Sequence, residues 1–216
     1  MVSVPAGDFF YGEKKEKRTI VKPFLIGKYL ITNAQYHRFV AVTRHRIPFW
    51  GTTTLARPYN WDQETGAFPQ GKADHPVVAI SWNDAQTYCQ WLSKETGKEY
   101  LLPTEEEWER AARGTDGRDY PWGNEFDVSR CNTRESGIRG TSPVDRFRAG
   151  ASPCGAFDMA GNVWELTATD YDESRKILRG GCWLINLDYA RCASRDRVTH
   201  VDFINMLGFR IVSHDP

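Results

Sequence analysis

The chain has 216 residues, of which 40% are hydrophobic and 26% charged, a composition that predicts a globular protein with a sizeable core. Lys and Arg together number 28, as do Asp and Glu, so the formal net charge is zero and composition argues against a nucleic acid or a membrane surface as partner. No apolar run reaches transmembrane length and no signal peptide opens the chain. The sequence as given therefore predicts a cytoplasmic protein without a membrane segment.

The N-terminal third begins with two strand-like segments, residues 2–11 and 19–26, which are separated by a charged turn. A helix is predicted to begin after Thr32, because this residue is a suitable N-cap and an apolar face follows at helical spacing. Periodicity then disappears over residues 44–75, where Trp, Pro, Gly and Thr dominate. A loop of this length is either functional or packed over the core.

Two further helices are marked by their capping residues. Ser81 and Asp84 form one predicted capping box, and Gly97 supplies the stop signal for that helix. Thr104 and Glu107 form the second box. The second half of the chain is rich in loops, with no repeat and no flexible linker, so we expect one domain over residues 1–216. Capped helices without regular alternation with strands indicate an α+β fold.

The C-terminal segment is framed by two strand-like stretches, residues 177–183 and 207–212. The residues between them have no period of their own, which is typical of an ordered loop that carries function. Lys, Glu and Gln do not occur after Lys176, although Arg and Asp do.

Seven short motifs occur in a fixed order along nearly the whole chain: Val4-Pro5-Ala6-Gly7, Lys28-Tyr29-Leu30-Ile31-Thr32-Asn33, Leu102-Pro103-Thr104-Glu105-Glu106-Glu107-Trp108-Glu109, Tyr120-Pro121-Trp122-Gly123, Gly161-Asn162-Val163-Trp164-Glu165, Arg179-Gly180-Gly181 and Gly208-Phe209-Arg210. In these motifs the chain resembles the formylglycine-generating enzyme (sulfatase-modifying factor) family. The resemblance implies a C-type-lectin-like fold with a small antiparallel sheet, two or three helices and much ordered loop.

The oxidases of that family are similar in having a CxxxxC pair after the Arg-Gly-Gly motif, which binds copper(I) through thiolates. Here the residues between Trp183 and Arg191 include no cysteine, so we expect no copper and no oxidase reaction. A formylglycine-generating-enzyme-like oxidoreductase, or another enzyme of the family, remains the alternative. It would use Cys182, Cys192 and Asp188, provided that the loop folds back to pair the two thiols. The five cysteines include no CxxC motif and are expected to be free thiols.

The resemblance also implies structural calcium ions, which bind six to eight oxygens. A first site would combine two side chains and two backbone carbonyls: Asp158 and Glu165, with Gly161 and Val163. A second would use Asn132 and the carbonyl of Thr133, but Ser136 stands where an acid is expected, with Glu135 beside it. The alternative is that these residues tie loops together by hydrogen bonds.

The C-terminal pattern also resembles the variable proteins of diversity-generating retroelements. In those systems Asn codons become NNC codons, which cannot encode Lys, Glu, Gln, Met or Trp. Two irregular segments, residues 184–189 (the first run) and residues 196–205 (the second run), contain only residues that NNC can encode. We therefore define residues 182–210 as a candidate variable region.

The resulting hypothesis is a non-catalytic protein that binds a protein or a cell-surface ligand through the C-terminal surface. Another non-catalytic binding domain or a kinase-linked domain is a further possibility. Aromatic and Arg side chains dominate interface energetics, so Tyr189, Phe203, His200 and Arg197 are the expected anchors. The candidate ligand-binding residues are Leu184, Ile185, Asn186, Asp188, Tyr189, Asp196, Arg197, Val198, Thr199, His200, Asp202, Phe203 and Asn205.

Overall fold

A computed structural model describes residues 1–215 of the chain. It contains nine strands: β1 (Val2–Val4), β2 (Gly7–Tyr11), β3 (Glu16–Ile20), β4 (Phe24–Ile26), β5 (Trp164–Asp170), β6 (Arg175–Arg179), β7 (Arg195–Thr199), β8 (Leu207–Gly208) and β9 (Val212–Ser213). Three α-helices lie between β4 and β5: α1 (Asn33–Thr43), α2 (Trp82–Thr96) and α3 (Glu105–Arg113). None of the helices in residues 1–215 is both long and apolar enough to cross a membrane.

The strands form three small sheets. β4 lies between β1 and β9 in an antiparallel sheet that joins the two ends of the chain. β2 and β3 form a separate hairpin. The third sheet has the order β7-β6-β5-β8, antiparallel except where β5 pairs with β8, and β7 is one of its edges. The predicted α+β arrangement of a few helices and small antiparallel sheets is confirmed.

The helices begin where the capping residues predict. Ser81 and Asp84 exchange side-chain and backbone hydrogen bonds at the start of α2, and Thr104 and Glu107 do the same for α3. Gly97 ends α2 with a left-handed conformation (φ 72°). Local side-chain chemistry therefore determines these boundaries.

The strand predictions need several corrections. The segment predicted over residues 19–26 is interrupted at residues 21–23, between β3 and β4, and the one over residues 207–212 is interrupted at residues 209–211, between β8 and β9. The segment predicted as one strand over residues 2–11 is interrupted at Pro5 and Ala6, which lie between β1 and β2. The strand predicted over residues 177–183 ends at Arg179, because Gly180 and Gly181 adopt positive φ angles of 92° and 75°. β5 and β7 were not predicted, and β7 begins just before the second run.

The main hydrophobic core lies between α1, α2 and the third sheet. Its centre is an aromatic cluster in which Tyr36 and Phe209 are fully buried and Tyr88 packs against both. A second core surrounds Trp108 of α3 and the sheet that joins the chain ends. The C-terminal segment contributes residues to both cores.

Candidate functional site

The C-terminal segment is fixed by buried residues that alternate with its exposed ones. Trp183 is buried, stacks on Tyr59 with ring centroids 6.3 Å apart, and donates its backbone N–H to the Asn162 carbonyl at 3.0 Å. Ala190 and Cys192, which follow the first run, are also fully buried. The first run therefore leaves the core and returns to it within a few residues.

The backbone of the first run is held by several hydrogen bonds to the rest of the fold. The Ile185 carbonyl accepts a hydrogen bond from the Arg134 N–H at 3.0 Å. The Leu187 N–H donates to Glu135 at 3.2 Å, and the Leu187 carbonyl accepts from the Tyr120 hydroxyl at 3.4 Å. A short 3-10 turn, Leu187–Ala190, completes the segment. These contacts fix the path of the chain without specifying most of its side chains.

Three side chains of the first run are exposed. Leu184 is 41% exposed and Tyr189 46% exposed, and Asp188 also faces solvent. Tyr189 packs edge-on against Trp164, with ring centroids 6.3 Å apart. Asn186 is half-buried. Ile185 is partly buried and packs on the main core, so only part of this candidate ligand-binding side chain is accessible.

The second run combines the edge strand β7 with a tight turn. The Arg197 N–H donates to the Asp196 carboxylate at 2.9 Å, and the Thr199 N–H donates to Asp202 at 3.3 Å. Two of its acids therefore occupy backbone donors of an edge strand, which limits pairing with a foreign strand. The Arg197 guanidinium is exposed and lies 5.2 Å from the centre of the Tyr171 ring.

Two aromatic contacts fix the turn that follows β7. Phe203, 38% exposed, lies under the Arg46 guanidinium, which is 4.5 Å from the ring centre. His200 is half-buried against Trp82, with ring centroids 5.3 Å apart. Phe203 is thus positioned at the surface, whereas His200 presents only part of its ring.

Two predicted surface residues lie in the interior, and their assignment to an exposed surface was wrong. Val198 is 7% exposed and belongs to the main core, because its side chain points inward where those of its neighbours in β7 point out. Asn205 is fully buried, and its side-chain amide donates to the Leu55 carbonyl at 3.0 Å.

The long loop over residues 44–75 contacts the second run and the residue that precedes the first run. Tyr59 packs on Trp183 beside the first run, while Leu55 and Arg46 contact the second run. Sequence reasoning predicted that this loop was functional or packed over the core, but it missed these residues as neighbours of the candidate site. No local pattern marks them, because the contacts join distant parts of the chain.

The residues nominated for an enzyme site are not brought together. Cys182 belongs to the main core and Cys192 to the second core, and both are fully buried. Burial raises the pKa of Cys182 to about 11 and that of Cys192 to about 12, so both remain thiols at neutral pH. Asp188 is exposed and faces Arg191 at 3.7 Å. The enzyme alternative required the loop to bring these two thiols together, and the loop does not do so.

The first calcium site is partly committed to protein contacts. Both oxygens of Glu165 accept hydrogen bonds from Arg210, at 2.6 and 2.8 Å, in a fully buried ion pair. Asp158 is buried, its carboxylate accepts from the Asn162 side chain at 3.3 Å, and burial raises its pKa to about 8. Asp158 therefore fits a cation ligand, whereas Glu165 already has a positively charged partner.

The second calcium site is tied into the hydrogen-bond network of the loops. The Asn132 side-chain oxygen accepts from Ser136 at 3.0 Å, and its backbone carbonyl accepts from the Asn162 N–H at 2.7 Å. Thr133 is buried beside it. Within residues 1–215, no three His, Cys, Asp or Glu side chains are grouped so that they could hold a metal ion.

Comparisons with known proteins cover the whole fold. The sequence model of the sulfatase-modifying factor enzyme 1-like domain family matches residues 1–215. The inactive C-alpha-formylglycine-generating enzyme 2 of Bos taurus is 33% identical, over 99% of this chain and 87% of that protein. The formylglycine-generating enzyme of Bos taurus is 30% identical, over 97% of this chain and 73% of that protein.

Two solved structures match closely in shape. PvdO from Pseudomonas aeruginosa superimposes with a TM-score of 0.82 and 25% identity, over 98% of this chain and 92% of that one. Treponema denticola variable protein 1 gives a TM-score of 0.78 and 19% identity, over 99% and 94%. These matches confirm the predicted C-type-lectin-like fold.

Proposed function

The chain belongs to the family of sulfatase-modifying factor enzyme 1-like domains, and from that premise we propose that it is a non-catalytic ligand-binding protein. In this proposal the C-type-lectin-like scaffold displays the exposed side chains of the first and second runs, and these side chains vary as in the products of diversity-generating retroelements. The ligand is a protein or another cell-surface molecule.

One observation carries this proposal: six of the thirteen candidate side chains are exposed on a segment whose buried residues hold the scaffold. Of the thirteen candidates, Val198 and Asn205 are buried, and five others are half-buried. The remaining six are exposed: Leu184, Asp188, Tyr189, Arg197, Asp202 and Phe203. The first run is anchored through backbone groups, so exchange of its exposed side chains leaves those hydrogen bonds intact.

The comparisons with known proteins also support a binding function without catalysis. The name of the 33% identical relative describes it as inactive, which is consistent with a family member that binds without catalysing. A protein named as variable shares the fold, so this scaffold is compatible with sequence variation. Tyr189, Phe203 and Arg197 supply the aromatic and guanidinium groups that anchor interfaces.

The experiment that tests variation is deep sequencing of the codons for residues 182–210 in the source population, together with the flanking DNA. We expect differences to concentrate at the six exposed residues and to spare Val198 and Asn205. We also expect the flanking DNA to contain a near-identical template copy and a reverse-transcriptase gene. An invariant segment without a template copy would refute the retroelement part of the proposal.

A library measures whether the scaffold tolerates such change. Codons for the six exposed residues are randomised in one library, and those for six buried residues of the same segment in a matched control: Trp183, Ala190, Cys192, Val198, Asn205 and Leu207. The fraction of displayed clones that resist protease measures the fraction that fold in each library. We expect most clones of the first library and few of the second to remain folded. Equal fractions would contradict the proposed separation of scaffold and surface.

The oxidoreductase alternative predicts tight copper(I) binding by a thiol pair, and the burial of Cys182 and Cys192 in separate cores does not support it. A competitive copper(I) titration distinguishes the two functions. We expect no stoichiometric high-affinity site, and wild type and a Cys182→Ser variant should behave alike. Tight binding that this substitution abolishes would favour the enzyme.

We also propose that Asp158, with the carbonyls of Gly161 and Val163, holds a structural calcium ion. A buried carboxyl without a cationic partner of its own supports this assignment, and the ion would stabilise the loop without taking part in chemistry. Millimolar calcium is expected to raise the melting temperature, and Asp158→Asn to remove that response. A melting temperature that changes with neither calcium nor a chelator would refute the proposed calcium site.

A further inference from the structure

A charged cleft lies apart from the exposed residues of the two runs. It has a volume of about 670 Å³ and lies between the end of the β2–β3 hairpin, the first turn of α3 and the segment that leads into β7. Clefts of this size accommodate small molecules. Eight of its twelve lining residues are charged, four of each sign: Lys14, Arg18, Arg179 and Arg195, with Glu13, Glu16, Glu105 and Glu106.

The inner end of the cleft, at Arg179, adjoins a buried cluster of two arginines and one glutamate. Glu109 is fully buried and forms ion pairs with both Arg113, at 2.5 Å, and Arg179. Each of these arginines is only 1% exposed, so two buried guanidinium groups share one carboxylate. A buried charge without a counter-ion is costly, which favours an anionic group in contact with this end.

Arg179 is also the lining residue with an unused donor. Its Nη1 donates to the carbonyls of Ala193 and Ser194, at 3.0 and 3.1 Å, and its Nη2 donates to the Cys192 carbonyl at 2.9 Å. Its Nε is buried and has no hydrogen-bond partner within residues 1–215. A buried donor of this kind costs free energy until an acceptor reaches it.

The wall of the cleft contains a loose ion pair. Arg195 donates to the two oxygens of Glu105 at 3.3 and 3.4 Å, longer than the usual distance for a charge-assisted hydrogen bond. A molecule with one carboxylate and one ammonium group can bind between Arg195 and Glu105. Its carboxylate then pairs with Arg195 and its ammonium group with Glu105. The balance of charge around the cleft is then preserved.

We propose that this cleft binds a small zwitterion, an amino acid or the end of a short peptide, with its carboxylate at Arg179 and Arg195 and its ammonium group at Glu105 and Glu106. Polyanions are disfavoured, because four carboxylates line the same cleft. This site is independent of the proposed variable surface, since none of the six exposed candidates lines it.

The test is isothermal titration of the wild-type protein with the free amino acids and with alanyl-alanine. Blocked dipeptides, N-acetylated or C-amidated, separate the two charged contacts, and inorganic phosphate tests for a simple anion site. We expect dissociation constants of about 1 mM or below for at least one zwitterion. Blocking either end should weaken binding about tenfold or more. No zwitterion binding, or tighter binding of phosphate, would overturn the proposal.

Two variants and a matched control locate the site. Arg195→Gln removes the carboxylate partner on the wall and Glu106→Gln an ammonium partner, and each should weaken binding of the best zwitterion about tenfold. Arg197→Gln is the control, because Arg197 is equally exposed, lies two residues further along β7 and does not line the cleft. Melting curves establish that all three fold. Equal affinities in Arg195→Gln and Arg197→Gln would place the ligand elsewhere and refute the assignment.

Discussion

Arg210 connects three distant segments of the chain through one buried guanidinium group. It pairs with both oxygens of Glu165, and it donates to the carbonyls of Gly27 at 3.0 Å and Phe157 at 2.8 Å. Removing one partner of such a pair leaves an uncompensated charge and unpaired carbonyls in the interior. The Gly-Phe-Arg motif that suggested the family is therefore a structural element of the fold.

We expect Arg210→Met to lower the free energy of unfolding by about 3–5 kcal/mol, because Glu165 is left buried without its partner. Urea denaturation measures the change. The control is Arg148→Met, which removes an exposed pair with Asp145 and should leave the midpoint unchanged. The double variant Arg210→Met, Glu165→Gln should be less destabilised than Arg210→Met alone. Equal midpoints for the two single variants would contradict the prediction.

His75 gives the stability a defined dependence on pH. Burial, and then the nearby Lys72, lower its pKa from the usual 6.5 to about 4, while its ring nitrogen lies 2.9 Å from the Thr141 hydroxyl. The folded state thus binds a proton less readily than the unfolded state. The stability that neutral His75 contributes is present above pH 6.5 and is lost as the pH falls from 6.5 towards 4.

Urea midpoints measured between pH 7.5 and pH 4.5 test this expectation. The wild-type midpoint should fall over that range, and part of the fall should disappear in His75→Gln, which retains a polar group beside Thr141. The neighbouring charges Lys72, Asp74 and Arg146 are unchanged in that variant. Identical pH profiles for the two proteins would show that His75 does not contribute.

The α-helices could be predicted from sequence because their boundaries depend on neighbouring residues. The α2 box uses Ser81 and Asp84, three positions apart. β7 could not be predicted in the same way, since only Val198 among its residues is buried and its strand conformation depends on pairing with β6. An edge strand with polar outward side chains resembles a loop until its partner is known.

The α2 capping box provides a graded test. Ser81→Ala removes the acceptor for the Asp84 N–H and should cost about 1 kcal/mol of unfolding free energy. Asp84→Ala should cost more, because Asp84 also accepts hydrogen bonds from His45 and Arg46. Thr87→Ala is the control and should change little, because Thr87 is half-buried and its hydroxyl donates only to the Asn83 carbonyl within α2. Thermal or urea unfolding ranks the three, and any other order would contradict the capping assignment.

β7 predicts opposite outcomes for two adjacent residues. Val198→Asn places an amide in the main core and should destabilise by about 2–4 kcal/mol. Arg197→Asn changes only an exposed side chain and should stay within about 0.5 kcal/mol of wild type. The two urea midpoints decide the matter. If Val198→Asn left the stability unchanged, Val198 would again be a candidate for the variable surface.

Across the entire fold, only part of the candidate site could be predicted. The two runs were predicted from their lack of periodicity together with the resemblance to retroelement variable proteins, and seven of their side chains are exposed, including Val201, which was not among the candidates. Their neighbours Leu55 and Arg46 were missed, because the contact between Leu55 and Asn205 joins residues 150 positions apart. Burial of Val198 and Asn205 also depends on such distant packing. The periodicity of a single segment therefore reveals neither the missed neighbours nor the burial of these two side chains.

The C-terminal strands should be essential for folding of the complete domain. A chain that ends at Met206 lacks β8, β9 and four fully buried residues, Leu207, Phe209, Arg210 and Val212. We expect it to show no cooperative unfolding transition in circular dichroism. A chain that ends at Ser213 keeps β9 and is the matched control, which should unfold cooperatively. A cooperative transition in the shorter chain would show that the remaining core is sufficient.

The pairing of β4 with β9 has a consequence for how the protein is made. Leu25 and Ile26 emerge from the ribosome long before their partners Ser213 and Val212, because the whole intervening chain is synthesised between them. During translation β4 therefore keeps an unpaired edge until β9 has been synthesised, and only then can the first sheet close. Chaperones that shield nascent chains would act on this interval, and a stalled ribosome would leave an unfinished domain for proteases to remove.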